Sequence, residues 1–227
     1  MPGMPKKLKT RKMTSEERIV TDNFHNLYYN GTRDRGPIFT QTTWIKIPSQ
    51  KCPLDLWVYQ EIISEIQPDL IIETGTRFGG SALFMAHIMD ILGKGKIFTI
   101  DIDNTISRPA HSRITYVHGS SADAGLINNL LPADRSGQVC MVVLDSDHSK
   151  EHVLQELNLL ASYVSVGSYL VVEDTNVNGH PALPYFGEGP YEAVKEFLDN
   201  HAEFIIDESR EKFLMTFNPG GYLRRIA

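Results

Sequence analysis

Residues 68–81 read Pro-Asp-Leu-Ile-Ile-Glu-Thr-Gly-Thr-Arg-Phe-Gly-Gly-Ser, and an apolar helical pattern follows over residues 82–92. Leu70, Ile71 and Ile72 form an apolar run too short for a helix, and the glycines behind it break any regular element. The stretch therefore reads as strand, tight loop and helix, the opening of a nucleotide-binding unit. Gly75 and Gly79 let the backbone pass close to a ligand, and Glu73 at the strand end offers a carboxylate where that ligand would lie. A glycine-rich turn is often no more than a good turn, so the next strand has to narrow the reading.

That strand is Lys96-Ile97-Phe98-Thr99-Ile100-Asp101-Ile102-Asp103. In doubly wound sheets a carboxylate at the end of the second strand receives ribose hydroxyls, which makes Asp101 a candidate. The loop reads Gly75-Thr76-Arg77-Phe78-Gly79-Gly80 and lacks the Gly-x-Gly-x-x-Gly spacing of a dinucleotide site. Glu73 just before it would repel a pyrophosphate but suits the ammonium and sulfonium charges of S-adenosylmethionine. Arg77 lies within this loop and is taken with it as a position that binds the methyl donor.

The 227 residues, 41% of them hydrophobic, can bury one good core. A net charge of -6 argues against a general nucleic-acid binder. Cys52 and Cys140 have no metal or redox spacing, so reduced, buried thiols in a cytoplasmic protein are expected. No apolar run is long enough to span a membrane, and the basic opening has no apolar stretch behind it to make a signal peptide. Residues 1–13 are read as a disordered basic tail, 14–67 as an N-terminal helical cap segment and 68–227 as a Rossmann-like core.

Within the cap segment, Thr14 or Ser15 starts a helix carrying through to Tyr29, and a polar loop follows to Pro37. The aromatic stretch from Thr40 to Ile47, with Trp44, could cap an active site, form an oligomer contact or simply pack. From Pro53, Leu56, Tyr59, Ile62, Ile63 and Ile66 recur at helical spacing. Beyond Asp103, strands are expected at residues 114–117, 138–144 and 168–172, with helices at 123–131, 149–161 and 191–200 between and after them. His118 to Asp123 forms a turn suited to an adenine edge. The alternation predicts an α/β fold, a doubly wound and mostly parallel Rossmann-like sheet. Phe204 to Ile206 and Leu214 to Phe217 would close its edge as an antiparallel pair, leaving residues 222–227 as a tail.

The fourth strand ends in Asp145-Ser146-Asp147-His148 and the fifth in Glu173-Asp174. Ends of adjacent parallel strands lie side by side, so Asp145, Asp147, Glu173 and Asp174 should converge. Four carboxylates repel unless a cation neutralises them, and oxygen ligands of this kind suit magnesium, with calcium or manganese as substitutes. His148 stands three positions beyond Asp145 and is the best-placed proton acceptor. Lys150 and His180 are weaker candidates, and His87, His111, His152 and His201 are read as structural.

Four stretches carry a resemblance: Ile72-Glu73-Thr74-Gly75-Thr76, Leu144-Asp145-Ser146-Asp147-His148, residues 172–181 from Val172-Glu173-Asp174 to His180-Pro181, and residues 217–223. From about Thr40 to Arg225 the chain resembles the cephalosporin hydroxylase family, which includes rhamnosyl O-methyltransferases and, more distantly, macrolide sugar O-methyltransferases. The resemblance implies a class I methyltransferase using S-adenosylmethionine and Mg2+. It implies Asp145, Glu173 and Asp174 as metal ligands and His148 as base, where the similar catechol O-methyltransferase has a lysine. Asp147 is the alternative first ligand if the strand ends two residues later. For the methyl donor the resemblance puts Glu73, Gly75, Gly79 and Ser81 around the methionine part, Asp101 on the ribose and Ser121 near the adenine. A sugar-containing acceptor is implied, its diol on the metal. Methyl transfer in a site of low dielectric needs a lid against water, for which Tyr28, Tyr29, Trp44 and the loop at residues 184–190 are the candidates, with plain packing the equal reading of each. A homo-oligomer is expected. The other readings are an oxygen-dependent hydroxylase, for which no two-His-one-carboxylate set is visible, and a non-catalytic S-adenosylmethionine-binding partner.

Overall fold

A computed structural model describes residues 12–131 and 137–227. The tail read at residues 1–13 lies outside the described residues except for its last two.

Thr14 caps helix α1 (Ser15–Asn30): its hydroxyl accepts from the Glu17 N–H at 3.2 Å while the Glu17 carboxylate accepts from the Thr14 N–H at 2.8 Å. These reciprocal bonds satisfy backbone donors that a helix start otherwise leaves unpaired. A short hairpin follows, β1 (Thr43–Trp44) and β2 (Ile47–Pro48), and then α2 (Pro53–Ile66), opened by a proline at its first position. The expected unit comes next as β3 (Leu70–Thr74), all five residues buried, and α3 (Gly80–Leu92). β4 (Lys96–Asp101), β5 (Ile114–His118), α4 (Ala124–Leu130), β6 (Cys140–Leu144), α5 (Lys150–Leu160), β7 (Tyr169–Val172) and α6 (Pro190–Leu198) continue the alternation. β8 (Phe204–Ile206) and β9 (Tyr222–Arg225) complete a seven-stranded sheet of order β5-β4-β3-β6-β7-β9-β8.

The first five strands in that order are parallel, and β9 runs antiparallel to both β7 and β8. An antiparallel edge is therefore present, but one of its strands is not the expected one. Residues 214–217 form no strand, and the tail expected at 222–227 supplies β9 instead. The physical reason is Asp55, whose buried carboxylate accepts from the Thr216 hydroxyl at 2.6 Å and the Phe217 N–H at 2.8 Å. A backbone donor spent on a side chain cannot enter a strand ladder.

Both faces of the sheet are covered. Ile72, Val142, Leu144, Leu170 and Val172 pack with α5 and α6, and Ile71, Met141, Val143 and Val171 pack with α2 and α3. α2 is thus part of the sheet's cover, which begins before residue 68. A third cluster joins Tyr29 of α1 to Cys52, Val177, Ala182, Met215 and Phe217, and so docks α1 beside the end of β7. No helix among the described residues is long and apolar enough to cross a membrane.

Candidate active site

The register of the sheet explains which way each acid points. Glu73 pairs with Val143, and Leu144 pairs with Val172, so Asp145 and Glu173 follow as neighbours at the ends of β6 and β7. Side chains alternate between the faces of a strand. Since Ile71, Val143 and Val171 face α2 and α3, the residues two further on, Glu73, Asp145 and Glu173, lean to that same side.

A buried cation meets them there. Lys51, 3% exposed, puts its Nζ 2.6 Å from Asp145 Oδ2 and 2.8 Å from Glu173 Oε1. Glu173 Oε1 also accepts from the Tyr59 hydroxyl of α2. The carboxylate expected as a metal ligand is thus turned beneath the site and already engaged. Glu73 lies beneath it too, fully buried, and accepts from the Ser81 and Thr99 hydroxyls. It does not offer itself to the loop, as expected from its position, but fixes Ser81 and, through Thr99 at 2.6 Å, Thr76.

Lys51 reaches this place because the chain ahead of it is pressed onto the start of α3. A Cβ on Gly80 would lie 2.3 Å from the Pro48 carbonyl oxygen, so only glycine allows the approach. Gln50, at φ +53, then turns the chain inward.

Asp174 takes the opposite course. Its φ of +54 breaks the strand, and its N–H donates to Asn218 Oδ1 at 3.2 Å. The carboxylate swings to His148, whose Nε2 is 3.1 Å from Asp174 Oδ2, and also accepts from the Tyr29 hydroxyl. One ligand atom each of Asp145, His148 and Asp174 lies within 4.8 Å of the others. Asp147 stays out: it is exposed, and its Oδ1 accepts from the Ser149 N–H at 2.7 Å at the start of α5.

This trio stands at one side of a cleft of about 720 Å³ that is also lined by Gly75, Arg77, Ser81, Asp101 and Ser121. Asp101 Oδ2 accepts from the Arg77 N–H at 2.6 Å and its Oδ1 from the Asp103 N–H at 2.8 Å. Ser121 Oγ lies 3.2 Å from His152 Nε2, and Ser146 Oγ donates to the buried Glu156 at 2.6 Å. Gly79 shapes the turn below this wall, at φ +80. Tyr29 and Phe39 reach the cleft from the cap segment, and Thr40 does so from the start of the aromatic stretch. Trp44 does not reach it; its ring packs edge-on to Phe84 and its Nε1 donates to His87 Nδ1 at 2.9 Å. Lys150 pairs with Glu188 and Glu196, and His180 with Glu192.

Burial opposes charge throughout the trio, and the partners decide which groups keep it. Burial pulls His148 down, but Asp174 and then Asp145 outweigh it and hold the imidazole up at about 9. Burial likewise works against Asp174, which His148 nonetheless keeps below the usual carboxylate range. Lys51 is held charged against its burial by Asp145 and Glu173, while burial first, and the neighbouring carboxylates after it, push Glu173 up to about 7. Three carboxylates face two cations, Lys51 and His148, so negative charge is in excess.

Asp145 and Asp174 are oxygen donors of the kind a hard divalent cation takes, and the imidazole of His148 stands beside them. The test of that fit is Lys51, since the centre already draws a cation onto its carboxylates. The sequence reading missed Lys51, Tyr59 and the His152–Ser121 contact. A lone lysine before Cys-Pro carries no motif, and the helical spacing of Tyr59 signals only packing.

A family model described as Rhamnosyl O-methyltransferase/CmcI matches residues 37–226. The chain belongs to that family. Among its relatives, a rhamnosyl O-methyltransferase of Mycobacterium tuberculosis is 42% identical over 214 residues, 91% of this chain and 85% of the other. The rhamnosyl O-methyltransferase of Mycobacterium leprae is 38% identical, covering 91% and 90%. A CmcI structure solved with Mg and SAM superposes with a TM-score of 0.67 over all of this chain and 89% of that one. At 20% identity that likeness establishes the class I methyltransferase fold. Family and fold together identify a methyltransferase.

Proposed function

We propose that the chain moves a methyl group from S-adenosylmethionine to a hydroxyl of a sugar or glycosylated molecule in a Mg2+-dependent reaction. The observation that carries this reading is the meeting of Asp145, His148 and Asp174 within 4.8 Å at the edge of the cleft that the glycine loop opens. The names of the relatives, rhamnosyl O-methyltransferases at 42% and 38% identity, support the sugar acceptor. The CmcI neighbour solved with Mg and SAM supports the pair of cofactors.

Asp145 and Asp174, with His148 beside them, would hold Mg2+, which would supply a lowered pKa for a hydroxyl bound to it. Glu173, the third ligand that the resemblance implies, is paired with Lys51 under the centre. Gly75, Arg77 and Gly79 turn the chain around the methionine end, Ser81 is held there by Glu73, Asp101 takes the ribose, and Ser121 lies at the adenine end. His148 Nε2 takes the proton of the reacting hydroxyl. It can do so only once the charge of Asp174 is drawn elsewhere, because that carboxylate otherwise keeps the imidazole protonated at neutral pH. Tyr29 and Phe39 present rings to the cleft from the cap segment and narrow its access to water.

The exposed Ile19, Val20, Phe24 and Leu27 of α1 support the expected homo-oligomer, and analytical ultracentrifugation tests it. The function is tested by calorimetric titration with S-adenosylmethionine, with and without Mg2+, on the wild type and on Asp145→Ala. The reading expects the methyl donor to bind both proteins and Mg2+ to bind the wild type alone. Failure of the wild type to bind the methyl donor would sink it.

A further inference from the structure

Lys51 is a charged residue of this centre that no catalytic role has absorbed. Its place is costly on two counts: it is 3% exposed, and it immediately precedes the Cys52 cap of α2, where the positive end of the helix dipole repels a cation. Packing does not account for a charge held there. What offsets the cost is its pair of partners, Asp145 at 2.6 Å and Glu173 at 2.8 Å. These are two of the three carboxylates that the family resemblance implies as metal ligands.

We propose that Lys51 is a tethered counter-cation of the metal centre, a positioning residue whose ammonium competes with Mg2+ for Asp145 and Glu173. The inference rests on the Mg2+-dependent reading above. Competition follows from charge alone, since a dication on Asp145 and the ammonium on the same carboxylate repel each other at short range. The backbone at Lys51 is pinned by the approach of Pro48 to Gly80 and by Pro53 at the start of α2, so only the side chain can give way. The gap bounded by Lys51, Tyr59, Glu73, Ser81 and Glu173 is too narrow for water, so the ammonium can tilt but not leave, and Glu73 offers a further carboxylate across it. A dication on Asp145 would therefore lean the ammonium toward Glu73, under the methionine end of the cleft. Lysine suits this role because a flexible stem can shift its point charge, which the planar fork of an arginine cannot do as freely.

The test is calorimetric titration with Mg2+ of the wild type, Lys51→Met and Lys51→Arg, with thermal melts to establish that each is folded. Lys51→Met is expected to bind Mg2+ about tenfold tighter or more, and Lys51→Arg, which keeps the charge, to stay near the wild type. A folded Lys51→Met that binds Mg2+ equally or more weakly overturns the proposal and leaves the metal reading standing. If neither wild type nor folded Lys51→Met takes up Mg2+, the metal reading itself falls and this one with it. Should Lys51→Met fail to fold, the wild type still decides. In protein labelled with 15N-lysine, the buried ammonium, assigned by its loss in Lys51→Arg, should shift in step with Mg2+ saturation. An ammonium resonance that stays still while calorimetry records Mg2+ uptake refutes the idea.

Discussion

Replacing Gly75 by alanine probes how tightly the methyl-donor loop is coupled to the metal side of the cleft. Gly75 sits at φ +81, and a Cβ built on it would lie 1.8 Å from the Asp145 carbonyl oxygen and 2.4 Å from the carbonyl carbon. Real Cβ atoms keep at least 3.0 Å, so 3.0 less 1.8 leaves about 1.2 Å by which the end of β6 must retreat. The retreat draws Asp145 away from His148 and Asp174. Two costs add: left-handed backbone strain of about 1–2 kcal/mol, and displacement of packed backbone, typically about 1–3 kcal/mol. Gly93 separates them, since it has a similar φ of +76 but no atom within 4 Å of its built Cβ. Gly93→Ala should therefore carry the strain alone. At roughly 2–4 °C per kcal/mol for a chain of this length, Gly75→Ala should melt about 2–12 °C below Gly93→Ala by calorimetry. It should also lose Mg2+ uptake in titration, while Gly93→Ala keeps it. Equal melting of the two variants, with Mg2+ binding intact in Gly75→Ala, would refute the coupling.

Asp55→Ala leaves the Thr216 hydroxyl, the Phe217 N–H and the Tyr222 hydroxyl without their buried acceptor, and urea denaturation should record a loss of about 3–5 kcal/mol; a loss under about 1 kcal/mol would mean that the segment is held by packing instead. Tyr29→Phe removes a bond to Asp174 and should weaken Mg2+ binding about tenfold with little change in melting, and unchanged Mg2+ affinity would count against a positioning role for α1. His25 is held down at about 4, against an ordinary 6.5, chiefly by burial. The folded protein thus resists protonating it, so its stability contribution is whole above pH 6.5 and drains as the pH falls toward 4. Between pH 7 and 4.5 the wild type should lose about 2–3 kcal/mol more than His25→Gln in urea denaturation, and parallel losses would contradict this.

Most of the sheet was legible because its signals are local. Short apolar runs such as residues 70–72 and 140–144, each followed by a turn and a helical pattern, leave little choice but parallel strands with crossovers. The last strand was not legible, because Leu214-Met215-Thr216-Phe217 is the more apolar candidate and nothing beside it in the sequence announces Asp55, 161 residues from Thr216. Lys51 was hidden for the same reason: it lies 94 residues from Asp145, and its role exists only once β3, β6 and β7 lie side by side.

Adjacent acids at a strand end illustrate what separates convergence from orientation. Glu173 and Asp174 are both carried to the binding edge by β7, as the strand order alone requires. Yet consecutive residues on a strand face opposite ways, so a pair of neighbours cannot both enter one site while the strand stays regular. Here the alternation holds for Glu173, which follows Val171 to the α2 side and meets Lys51 and Tyr59. It fails at Asp174, where φ +54 ends the strand and turns the carboxylate to His148. Glu73 and Asp145 obey the same parity at the ends of β3 and β6, so a single buried ammonium can lie among three acids contributed by three different strands. The side an acid takes is then a matter of counting residues from the core of its own strand, and the cation beneath it is the consequence of three such counts agreeing.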